Sequence, residues 1–165
     1  MLKSFFMTEA VEDKLGIFGI GPGSIAAVAL AFIIATTLFY LFCMFWFIPK
    51  FVLAFGFTFS LHLMTILLIL TALIPEKDNK IKAHAIVAYG FAFCMMLLLV
   101  FIAISSHISF IARIFSGVTV GLMALCWYLA FLSPNKTKIR SHYLIFQYSY
   151  VILFFLSILI ATYIR

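Results

Sequence analysis

The sequence predicts an all-α membrane protein, a transmembrane bundle of about five helices preceded by a short amphipathic helix at the membrane surface. The chain has 165 residues, of which 67% are hydrophobic and 10% are charged. So few polar side chains do not cover the surface of a soluble domain. Its apolar stretches reach about 20 residues, the length at which a helix crosses a hydrocarbon core of ~30 Å.

The predicted elements follow in order along the chain. Residues 1–22 form the surface segment, because apolar residues recur there at helical spacing opposite three carboxylates. Residues 23–165 form a single bundle. Its predicted spans are residues 23–46, 51–74, 83–104, 108–132 and 143–163. The connections FIPK and SSH are tight, whereas PEKDNKIK and SPNKTKIR are longer and basic.

Lys and Arg are divided unevenly between the two predicted membrane faces. Lys50, Arg113 and Arg165 fall on one face, and the other eight of the 11 basic residues fall on the face that holds the N-terminus. Short loops rich in Lys and Arg stay cytoplasmic. We therefore expect a plasma (inner) membrane protein with a cytoplasmic N-terminus and an external C-terminus. The basic residues are spread over separate loops, which favours contact with membrane lipids over nucleic acid.

His62 lies eleven residues into the second predicted span, near the membrane midplane. An ionisable side chain that faces lipid tails costs roughly 2 kcal/mol or more, so we expect His62 to point into the bundle. Thr58 and Thr65 share its helical face. One interpretation is a structural imidazole hydrogen-bonded to threonine or to a neighbouring helix. The other is a group that binds a ligand or handles a proton.

A cofactor would need further ligands at the depth of His62. Cys94 and Met95 lie about eleven residues into the third predicted span, and His62 with such soft ligands could hold copper. Haem held by two histidines would need a second central histidine, whereas the other histidines lie at the membrane edges. Cysteine and methionine are also ordinary packing residues in a membrane bundle. The alternatives are therefore no cofactor, copper, or haem.

His84 and His142 each begin a predicted span just after a basic loop, at the same membrane level. With Glu76 and Asp78 nearby, they could bind a lipid phosphate, a metal or a small polar ligand. Gln147, one turn into the last span, is a further candidate ligand-binding residue. The alternative is that these histidines belong to a solvated rim.

Gly117 and Gly121 form a GxxxG pattern in the fourth predicted span. Small residues at this spacing allow two membrane helices to approach closely. We expect this contact inside the bundle, with contact to a partner helix as the alternative.

Three classes of function are compatible with these patterns. The five carboxylates lie outside the predicted spans, and the sequence has no CxxC pair and no HExxH motif, so we favour a protein without catalytic machinery. It would act through lipid or protein contacts, as a homo-oligomer or as a subunit of a larger membrane complex. The alternatives are a redox or metal-binding protein and an oligomeric carrier or channel.

Residues 70–165 resemble the second half of the damage-regulated autophagy modulator (Frag/DRAM/Sfk-like) group and related bacterial membrane families of unknown function. The resemblance lies in a span ending in LIP, a short polar loop, then HAIVA at 84–88, and the later segment SHYLIFQYSY. It implies a non-catalytic membrane protein. The chain departs from the group in having five predicted spans instead of six. It also has Gln147 at a position where the group often has an acidic residue. The distribution of Lys and Arg predicts that the loop before His84 is cytoplasmic, whereas the group's pattern suggests the other side of the membrane.

Overall fold

The computed structural model describes residues 33–73, 81–131 and 143–164, and all regular structure in these ranges is helical. The helices are α1 (Ile33–Phe51), α2 (Phe55–Leu73), α3 (Ile81–Ile104), α4 (Phe110–Phe131) and α5 (Tyr143–Tyr163). The prediction of an all-helical chain is thereby confirmed for these residues. A helix suits such apolar segments because it satisfies its own backbone N–H and C=O groups where no water is available. The predicted surface segment, 1–22, lies outside the described residues.

Three of the described helices are long and apolar enough to cross a membrane. They cover Ile33–Phe51, Lys82–Ile104 and Phe110–Leu129. Two further apolar helical stretches, Phe55–Thr71 and Tyr148–Tyr163, are shorter. The chain is therefore a helical membrane protein. That all five segments cross the membrane stays a prediction, as does the division into one surface segment and one bundle.

Helix α1 continues through the segment FIPK, which the sequence analysis predicted to be a connection. Pro49 lacks an N–H group, and in a regular α-helix its ring would clash with the carbonyl four residues earlier. A π-helical turn at Cys43–Phe47 precedes it and widens the helix there. The helix ends at Val52, which has a left-handed conformation with φ 46° and donates its N–H to the Ile48 carbonyl. The connection is therefore residues 52–54.

The chain forms two compact units. The first comprises Met1–Trp46 and Phe59–Cys94, of which 33–46, 59–73 and 81–94 are described. Its core contains Leu61 and Met64 from α2 and Phe91 from α3. The two helices approach closely at Gly90, where an added Cβ would lie 3.1 Å from a methyl carbon of Leu67.

The second unit comprises Phe47–Thr58 and Met95–Arg165, of which 47–58, 95–131 and 143–164 are described. At its α1 end, the ring of Phe47 lies 4.9 Å from that of Phe51 and 5.8 Å from that of Phe57, measured between centroids. Helices α4 and α5 pack along each other, and Met123 and Phe154 are buried. The end of α1 therefore contributes to this core.

Candidate functional site

The candidate site is a pair of polar side chains in the first unit, His62 on α2 and Tyr40 on α1. The Tyr40 hydroxyl oxygen lies 3.0 Å from Nδ1 of His62, within hydrogen-bonding distance. The two ring centroids are 5.6 Å apart, with the rings inclined at 47°. Because His62 lies two residues before the centre of the 19-residue helix α2, it is only about 3 Å from that helix's midpoint. The pair therefore stands deep in an apolar segment.

The geometry leaves the second ring nitrogen of His62 available in either tautomer. If Nδ1 accepts the Tyr40 proton, Nε2 carries a hydrogen and is a donor. If Nδ1 donates to the Tyr40 oxygen, Nε2 is an acceptor. Among the described residues, Tyr40 is the one hydrogen-bond partner of the ring. The His62 side chain therefore has the capacity for one more hydrogen bond at this depth.

The His62 side chain is exposed on the surface of the described structure. The expectation that it points into the bundle is therefore wrong for the described residues. Two apolar neighbours on the same face of α2 are also exposed, Phe59 at 57% and Ile66 at 54%, whereas Thr58 is half-buried. Thr65 does not join His62, because its hydroxyl donates to the Leu61 carbonyl of its own helix at 2.9 Å. The buried residues of α2 are both apolar and polar: Phe57, Ser60, Leu61, Met64, Leu68 and Thr71. The structural interpretation of His62 also expected a hydrogen bond to a neighbouring helix, and the contact with Tyr40 of α1 agrees with that expectation.

The predicted copper ligands differ in their surroundings. Cys94 is 1% exposed and Met95 is 2% exposed, whereas His62 is exposed. Within 33–73, 81–131 and 143–164, no three His, Cys, Asp or Glu side chains stand close enough together to hold a metal ion. The copper and haem hypotheses gain no support from these residues and stay predictions.

The second predicted constellation lies partly outside the described residues. The residues not described include His142, Glu76 and Asp78. Gln147 belongs to α5, but its side chain is also among the parts of the chain that are not described. His84 is only 4% exposed. It shares a face of α3 with Ala88 and Phe91, which are buried too, so it is a core residue of the first unit. The solvated-rim interpretation is therefore wrong for His84, and the shared ligand site stays a prediction.

The two glycines of the GxxxG pattern are exposed, and a Cβ built on either would meet nothing within 4 Å. We expected the face of α4 that carries the two glycines to pack inside the bundle. For the described part of the chain, that expectation is wrong. The opposite face of α4 makes the intramolecular contact, through Ser116 and Thr119. Contact of the GxxxG face with a partner stays a prediction.

Helices α4 and α5 are joined by a buried polar contact. The Ser157 hydroxyl lies 3.1 Å from Oγ1 of Thr119 and 2.9 Å from the Leu153 carbonyl. A hydroxyl can donate to one group and accept from the other, so both contacts are possible together. Ser116, one turn from Thr119, is fully buried and its oxygen has no hydrogen-bond partner among the described residues. The hydroxyls of Ser157 and Thr119 therefore link the two helices.

Comparison with known proteins gives this chain no relative. No family model, no curated protein and no solved structure matches it. The resemblance to the damage-regulated autophagy modulator group therefore stays a sequence-based expectation, and the Tyr40–His62 pair has to be interpreted from its own geometry. Tyr40 was missed by the sequence analysis because it lies 22 residues before His62. The available signal was a tyrosine hydroxyl within a predicted apolar span.

Proposed function

We propose that this chain is a non-catalytic subunit of a membrane complex, held to a partner transmembrane helix through the face of α2 that carries His62. The observation that supports the proposal is the exposed His62 ring near the middle of an apolar helix, hydrogen-bonded to the half-buried Tyr40. A face in contact with lipid alone would leave Nε2 without a hydrogen-bond partner, since lipid tails offer none. A partner helix with a serine, threonine, asparagine, glutamine or tyrosine at this level would supply one.

The exposure of α1 is consistent with a partner on this side. Only 11% of its apolar window is buried within the protein, against 39% for the window in α3. Thr37, on the exposed surface of α1, does not require a partner because its hydroxyl donates to the Ile33 carbonyl at 2.9 Å. Thr37 therefore differs from His62, whose second ring nitrogen has no hydrogen-bond partner among the described residues.

The test compares variants of His62 in membranes from cells that produce the full chain. Wild-type protein is expected to run as a complex larger than the monomer on a native gel after mild detergent extraction. His62→Leu should reduce the complex while leaving folded protein, whereas His62→Gln should retain most of it because an amide still donates and accepts. Thr37→Val is the matched control, because it removes an exposed hydroxyl that needs no partner.

The outcomes separate the alternatives. A complex that survives His62→Leu unchanged, or a wild-type chain that is monomeric in the membrane, contradicts the proposal. A folded chain that loses function equally with Gln and with Leu would favour a ligand or proton-handling role instead. Two differently tagged copies that co-purify would identify the partner as a second copy of this chain.

We further propose that the chain lies in the plasma (inner) membrane, spans it five times, and has its N-terminus in the cytoplasm. The bias of Lys and Arg across the short loops supports this orientation. A reporter fused after Arg165 should be active outside the cell, and a reporter inserted between Asp78 and Lys80 should be active inside. Activity of both reporters on one side would overturn the five-span arrangement.

A further inference from the structure

A cavity of about 400 Å³ opens at one end of the second unit. Three parts of the chain meet there: the end of α1, the connection between α3 and α4, and the end of α5. Lys50, His107 and Thr162 contribute polar side chains to its lining, and Phe51 and Ile108 contribute apolar ones. The cavity therefore combines cationic, hydroxyl and apolar surface at the ends of apolar helices, where a membrane surface would lie.

Two basic residues, Lys50 and His107, line this cavity. The Lys50 ammonium is held 5.1 Å from the centroid of the Phe51 ring, close enough for a cation–π contact. His107 lines the same cavity and is exposed. The described ranges 33–73, 81–131 and 143–164 contain no aspartate or glutamate. An anion entering the cavity would therefore meet no carboxylate from the described part of the chain.

The connection between α3 and α4 is held in place by side-chain hydrogen bonds. The Ser109 oxygen accepts a hydrogen bond from the Ala112 backbone N–H at 3.4 Å, at the start of α4. Arg113 donates through Nε to the Ala103 carbonyl at the end of α3, at 3.1 Å. Ser109 lines the cavity, so the wall next to His107 is fixed by two contacts. The first backbone N–H groups of α4 add partial positive charge to that wall.

We propose that this cavity binds a phosphate group, carried by a phospholipid headgroup at the membrane surface. Lys50 and His107 bind the phosphate oxygens, and Ser106, which also lines the cavity, donates its hydroxyl proton to them. The apolar lining from Phe51 and Ile108 contacts the glycerol end of the acyl chains. A free phosphate ion would make the same polar contacts but would not contact the apolar lining. The site is separate from the Tyr40–His62 face and does not depend on the function proposed for that face.

The test measures binding of phosphatidylglycerol to the full purified chain in detergent by native mass spectrometry, with diacylglycerol as the lipid that lacks phosphate. Wild-type protein should retain phosphatidylglycerol and bind diacylglycerol much more weakly. Lys50→Gln should weaken binding of phosphatidylglycerol by about tenfold, the effect of losing one hydrogen bond to a charged group. His107→Gln should act in the same direction. Lys82→Gln is the matched control, because Lys82 is also exposed but lies in the first unit.

Inorganic phosphate distinguishes the two sources of the ligand. If millimolar phosphate displaces the lipid from wild-type protein, the site takes free phosphate as well, and if it does not, the site is selective for the lipid. The proposal is overturned if Lys50→Gln binds phosphatidylglycerol as tightly as wild type does. It is also overturned if Lys82→Gln weakens binding equally, or if diacylglycerol binds as tightly as phosphatidylglycerol.

Discussion

Gly56 allows the first turn of α2 to lie directly against the ring of Phe101, and the substitution Gly56→Ala tests how tightly this contact is packed. A Cβ at residue 56 would lie 2.6 Å from Cε1 of Phe101 and would overlap Cζ. Carbon atoms in favourable contact are ~3.5–4.0 Å apart, so the ring would have to move by about 1 Å. Overpacking of this kind costs ~1–3 kcal/mol. Phe101 is half-buried, so its ring has some room, and we expect a loss of about 1–2 kcal/mol in the free energy of unfolding.

The assay is thermal unfolding of the full chain in detergent micelles, followed by circular dichroism. Gly117→Ala is the matched control, since its Cβ would enter open space and alanine favours the helix by ~1 kcal/mol over glycine. Gly56→Ala should lower the Tm, Gly117→Ala should not, and Phe101→Leu combined with Gly56→Ala should recover part of the loss. If Gly56→Ala is as stable as wild type, the close approach of α2 to Phe101 is wrong.

Three further predictions use the same unfolding assay. Val52→Gly should raise the Tm, because a left-handed conformation costs a residue with a Cβ about 1–2 kcal/mol, and an unchanged or lower Tm would argue against that conformation. Ser157→Ala should lower the unfolding free energy by ~1 kcal/mol, since it removes the contact to Thr119, and a variant as stable as wild type would show that the contact contributes nothing. Gly117→Leu with Gly121→Leu should not lower the stability of the isolated chain, since both glycines face open space and leucine favours a helix over glycine. A Tm lower by several degrees would show that this face is covered within the chain.

The helices were predictable because their signal is local. An apolar segment of sufficient length has to satisfy its own backbone in lipid, and this requirement depends on no other part of the chain. The end of the first helix was predicted incorrectly for a physical reason. Pro49 usually interrupts a helix, but the π-helical turn at Cys43–Phe47 lets the helix continue for one more turn.

The orientation of polar side chains was much less predictable. Helix α2 is apolar around nearly its whole circumference, so its sequence does not reveal which face is covered by the rest of the chain. The cost of a histidine in lipid led to the expectation of an inward His62, and the structure places it outward with Tyr40 as its partner. That pair, and the cavity between Lys50, His107 and Thr162, bring together residues far apart in sequence. No spacing rule within one segment predicts such contacts.

The central claim, that the His62 face of α2 binds a partner helix, is tested most directly by photocrosslinking in intact membranes. A photoreactive amino acid is placed at Ile66, one turn from His62 on the same exposed face, and in a separate chain at Ile152, which is equally apolar and exposed near the middle of α5. Protein adducts should form from position 66, should be much weaker from position 152, and should disappear from position 66 when His62→Leu is added. Adducts to lipid alone at position 66, or protein adducts that persist with His62→Leu, would contradict the claim.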